Sequence, residues 1–149
     1  MKNQPPTYAV TREDWQKIAE ERLIAARNLL AASDWSSAYY LAGYAVECGL
    51  KSCILAYVAS TPHAIFLEKR YSEKCWTHDI VELGKLAGLG DVREPDVIAD
   101  TGLRGNWSIA TKWTEISRYE LKSQLEAESL YNAIADDTNG VMQWIRARW

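Results

Sequence analysis

One phenylalanine, two histidines, three cysteines and four prolines in 149 residues leave little room for several common chemistries. His63 and His78 are too few for a histidine-based zinc site, and no Cys-x-x-Cys pair supplies thiolates in their place. Cys48, Cys53 and Cys75 form an odd set, which favours free thiols; on one helix Cys48 and Cys53 would point about 140° apart and could not pair. No unbroken apolar run approaches the roughly 18 residues of a membrane span, and residues 1–10 hold no signal-peptide core. An excess of one charge is lacking too. Seventeen basic and 20 acidic residues give −3, which excludes a strongly basic nucleic-acid sponge and still allows a local basic patch. The glycine-rich phosphate loop, the Gly-x-Ser-x-Gly elbow and the His-Glu-x-x-His motif are all missing, so neither a Ser-His-Asp enzyme nor a metal hydrolase is supported. No metal and no cofactor is expected. What abounds is seven Trp and eight Tyr. The composition describes a soluble, cytosolic, aromatic-rich protein of one domain, 1–149, long enough to bury a core without covalent staples.

The prolines leave 7–61 and 96–149 free of the strongest helix breaker. Residues 1–10 are expected to be a flexible segment. Thr11 with Asp14 three residues on predicts a capped helix over 12–32, carried by Trp15, Ile18, Ala19, Leu23, Ala26 and Leu30. Ser33 or Asp34 then caps a second helix over 35–58, antiparallel to the first because the link is so short. On that helix Ala38, Ala42, Ala45, Gly49, Ser52 and Ala56 form a stripe of small residues, with Tyr40, Tyr44, Glu47 and Lys51 on the opposite side. A helix small or apolar on most of its circumference belongs at the centre of a bundle, with Ala42, Ala45 and Gly49 against another helix. Glu47 and Lys51 are spaced as an i,i+4 ion pair on a partly exposed edge. A helical turn or two is expected around 65–69, and a short helix capped by Thr77 and ended by Gly88 and Gly90. Residues 88–106 read as irregular, with a helical turn at 95–99, and 122–148 as one long last helix weakened at Gly140. The sum is an all-α, up-and-down bundle of four main helices plus short ones.

Two polar elements stand out. Arg118-Tyr119 precedes the last helix; a guanidinium suits bidentate phosphate recognition, and a tyrosine beside it can stack on a base. His78-Asp79 opens a short helix, where the imidazole is either a general acid/base or a neighbour of a simple capping aspartate. These elements also carry a family resemblance. The run from Trp35 through Tyr44-Ala45-Val46-Glu47-Cys48-Gly49-Leu50-Lys51 resembles the second helix of HEPN domains (higher eukaryotes and prokaryotes nucleotide-binding). His78-Asp79-Ile80 with Leu83 is similar to that family's His-Asp-Leu segment, and Arg118-Tyr119 to its Arg-Tyr element. The resemblance implies a helical bundle, usually a homodimer, related to toxin–antitoxin and RNA-processing proteins. It implies a nucleotide-, RNA- or partner-binding module with a cleft built from Glu47, Lys51, Arg118, Tyr119 and Tyr44, in which Glu47 orients Arg118. A minimal nucleotidyltransferase is the implied partner protein, and no membrane is involved. Active members are metal-independent endoribonucleases carrying Arg, four to six residues, then His. Here the fifth, sixth and seventh residues after Arg118 are Ser123, Gln124 and Leu125, so a ribonuclease would have to use Arg118 with His78.

Overall fold

A computed structural model describes residues 4, 6–94 and 99–149. The chain is all-α: among the described residues there are eight α-helices, one 3-10 segment and no strand. Helix α1 (Arg12–Ala31) starts at a full capping box, the Thr11 hydroxyl accepting from the Asp14 amide while the Asp14 carboxylate accepts from the Thr11 amide. Ser33, at φ 61°, supplies the left-handed residue that reverses the chain, and the Asp34 carboxylate then accepts from the Ser37 amide to open α2 (Trp35–Ser60). The expected antiparallel hairpin is present.

Helix α2 lies at the centre, touching α1 and four later elements. Ala38, Ala42, Ala45, Gly49 and Ser52 are buried, while Ala56 is half-buried near its end. The small side chains let neighbours reach the backbone. A Cβ at Gly49 would lie 2.8 Å from Ile145 Cγ2, and one at Gly43 would lie 2.2 Å from the Trp113 indole. By length and hydropathy α2 could cross a membrane, but 67% of its most apolar window is buried inside the fold, as in any central core helix.

The connector after α2 forms two short helices, α3 (Ala64–Leu67) and α4 (Tyr71–Lys74), separated at Arg70, which has a φ of 63°. Helix α5 (Ile80–Leu86) is capped by Asp79, not Thr77: the Asp79 carboxylate accepts from the amides of Val81 and Glu82, and the Thr77 hydroxyl accepts from Asp79 itself. Gly88 and Gly90, both at positive φ, end it as expected.

Two stretches differ from the sequence reading. The irregular segment 88–106 gives way at Thr101 to α6 (Thr101–Ala110), whose Leu103, Trp107 and Ala110 face the core; Trp107 packs edge-on to Trp144 at 5.5 Å. The turn expected at 95–99 lies almost wholly outside the described residues. The long last helix is two, α7 (Gln124–Ala135) and α8 (Val141–Arg146). Asp136 has an extended ψ of 131°, and its carboxylate accepts from the amides of Thr138 and Asn139, offering the backbone an alternative to the helix. Between α6 and α7 the 3-10 segment Glu115–Tyr119 crosses beside α2.

Candidate functional site

The centre of α2 carries the polar residues that anchor the site. Glu47 and Lys51 sit one turn apart, and Lys51 Nζ donates to Glu47 Oε1 at 2.9 Å. This is the expected i,i+4 pair, but its setting is different: Glu47 is 1% exposed and Lys51 8%, so the pair is inside the molecule and not on an edge. His78, in the extended link before α5, brings Nδ1 to 2.9 Å from the same Glu47 oxygen. Its Nε2 lies 3.2 Å from Glu115 Oε2, and Glu115 Oε1 is 3.2 Å from the Arg118 guanidinium. Lys51, Glu47, His78, Glu115 and Arg118 thus form one chain of alternating partners from the core to the surface. Both neighbours of His78 are carboxylates, which accept only; a ring protonated on both nitrogens donates to both, a neutral ring to one.

Local structure explains the outer half. In a 3-10 turn residues three apart are eclipsed, so Glu115 and Arg118 fall on one side. The Arg118 guanidinium also lies 4.8 Å from the Tyr119 ring centroid, and Tyr119 is 74% exposed. Partial burial works against the charge on Arg118, but Tyr119 and Glu115 outweigh it and hold the guanidinium above its ordinary range. Tyr40 stacks between Tyr44 and Trp113, each at 6.0 Å. Burial pushes the Tyr40 hydroxyl up, against the pull of Arg118, and pushes Tyr44 up to about 12, with Cys48 and Glu47 adding to it. These phenols stay neutral.

A cleft of about 390 Å3 is lined by two members of this chain, His78 and Glu115, with Asp79, Trp113 and Ile116 among others, and Arg118 stands beside it on the far oxygen of Glu115. The structure therefore brings His78 and Arg118 together, on the two oxygens of one carboxylate, with Tyr119 alongside. Glu47 does not orient Arg118; that partner is Glu115, and Glu47 is engaged by Lys51 and His78. Lys51 lines a different, apolar pocket, and Tyr44 stands behind Tyr40. Sequence reasoning missed Glu115 and Trp113. The i,i+3 spacing of Glu115 and Arg118 was the available signal for the first; nothing local signalled the second, which depends on Gly43 of α2 accepting its indole. Among the described residues no three His, Cys, Asp or Glu side chains converge as a metal ion would need.

No curated protein and no solved structure matches the chain. A family does. Residues 12–73, spanning α1, α2, α3 and most of α4, match the family model of the HEPN domain.

Proposed function

We propose that the chain is a nucleotide- or RNA-binding module whose phosphate site is Arg118, beside the Glu115 wall of the cleft. What carries the reading is that Arg118 and His78 share the two oxygens of Glu115, a carboxylate standing where a phosphate group would stand. The Glu115–Arg118 pair is partly exposed, and such pairs are worth about 0.2–1 kcal/mol, so a phosphate can displace the carboxylate. Arg118 then holds the phosphate, Tyr119 offers the outer face of its ring to a base, and His78 keeps its Nδ1 contact with Glu47. The unit is the helical domain 1–149 acting in the cytoplasm as a homodimer, within a toxin–antitoxin type of system or beside a nucleotidyltransferase partner.

The arrangement also favours a second reading, a metal-independent endoribonuclease. His78 is oriented by Glu47 on one nitrogen and carries the other, paired with Glu115 at 3.2 Å, on the cleft wall, where a substrate that displaces Glu115 would meet a general acid/base. Binding of a labelled single-stranded RNA and of ATP, followed by fluorescence anisotropy, tests the first. Arg118→Ala should weaken binding about tenfold, the loss of a charge-assisted contact, and Glu115→Gln should strengthen it by removing the competing carboxylate. Unchanged affinity in Arg118→Ala would reject the cleft. RNA cleavage that resists EDTA and is lost in His78→Ala would establish the ribonuclease instead.

A further inference from the structure

A second pocket, of about 350 Å3, is walled by Trp15 of α1, Ile54 of α2, Tyr71 of α4, and Cys75 and Trp76 beyond it. Among the described residues its one charged lining residue is Lys51, whose side chain is 9% exposed. An ammonium has three N–H donors. Glu47 takes one and the Trp15 ring, with its centroid 5.2 Å from Nζ, faces another. The third has no acceptor among the described residues. A buried donor of this kind at the floor of an aromatic cavity specifies a ligand that is flat, apolar and negatively charged at one end.

We propose that this pocket binds a small planar aromatic carboxylate, its ring among Trp15, Tyr71 and Trp76 and its carboxylate accepting from Lys51 Nζ. Sharing Lys51 with the ligand leaves Glu47 Oε1 in contact with both Lys51 and His78, while Glu47 Oε2, buried without a partner among the described residues, is unaffected. Arg118 has no part in this site, so the inference stands apart from the cleft.

Calorimetric titration of the whole chain with 1-naphthoate and with 1-naphthamide, equal in shape but uncharged, decides it. Saturable one-to-one binding of naphthoate is expected, about tenfold tighter than naphthamide. Trp76→Ala, at the largely exposed rim, should weaken naphthoate about tenfold, and bound naphthoate should slow alkylation of Cys75. Lys51→Met should abolish the preference for the acid; if that variant fails to fold, the two probes on the unaltered chain still decide. Arg118→Ala should leave naphthoate binding as it was. Absence of saturable binding overturns the proposal, as does indifference to Trp76→Ala or loss of binding in Arg118→Ala. Equal affinity for acid and amide also overturns it, marking instead a socket for an apolar side chain of a partner protein.

Discussion

Glu47 and Lys51 are two charges held inside a helix that is otherwise small and apolar. Burying such a pair gains little net stability over an apolar one, but removing one member leaves the other uncompensated, at about 3–5 kcal/mol. Lys51→Met should therefore cost nearer 3 than 5 kcal/mol in urea unfolding, because His78 remains beside the stranded carboxylate. Adding Glu47→Gln to Lys51→Met should restore most of the loss; a double variant no more stable than the single one would show that the charge was not the cause. The sequence displayed this pair by its spacing and misjudged its depth, since an i,i+4 interval is the same in the core and at the surface. It also offered Glu47 to Arg118. That pairing failed because the 3-10 turn supplies a nearer carboxylate, and a helical wheel drawn on α2 holds no information about a turn some 70 residues away.

At the scale of elements, the hairpin was legible because every signal agreed: the cap at Thr11, the short link, the stripe from Ala38 to Ser52. The later helices were not, for opposite reasons. Gly102 and Gly105 hid α6, whose formation depends on the burial of Trp107 and overrides weak propensity, whereas the apolar period of 122–148 hid a break made by one aspartate side chain. Helix α7 opens on a capping box like that of α1, Ser123 with Glu126, and the two boxes make a prediction of their own. Backbone amides of Thr11 and Val10 hold the Asp14 carboxyl below its ordinary 3.8, and the Ser123 amide and hydroxyl hold Glu126 below 4.5. A carboxyl depressed in the folded chain binds protons more readily when unfolded. Its stabilisation is complete above the ordinary value and fades as the pH falls through the folded one. Asp14→Asn should lower Tm by about 2–4 °C at pH 7, and the gap from the parent should narrow as the pH drops below 3.8. A gap that is constant down to acid would mean that the box acts by shape and not by charge.

For the whole molecule the open question is what meets the apolar surface that the fold leaves outside. Among the described residues, two groups close in sequence stand out besides Tyr8, Val10 and Ile24. Ile116, Tyr119, Leu121 and Leu125 are 62%, 74%, 96% and 75% exposed and flank Arg118; Ile65, Phe66, Leu67 and Trp76 lie on and after α3. Aromatic and aliphatic side chains grouped in this way mark protein contacts. In the homodimer proposed here, a two-fold axis would set one patch against its own copy. The first patch is the better candidate, because pairing there would place two Arg118 side chains near the axis and enclose a phosphate between subunits, where water is excluded and a charge-assisted contact gains strength. Sedimentation at micromolar concentration should then give a dimer. Leu121→Asp together with Leu125→Asp should give a folded monomer with weakened RNA binding, while Phe66→Asp should leave the dimer intact. If Phe66→Asp is the variant that dissociates, the interface lies on α3 instead, across the mouth of the aromatic pocket, and the Arg118 cleft must act within a single subunit.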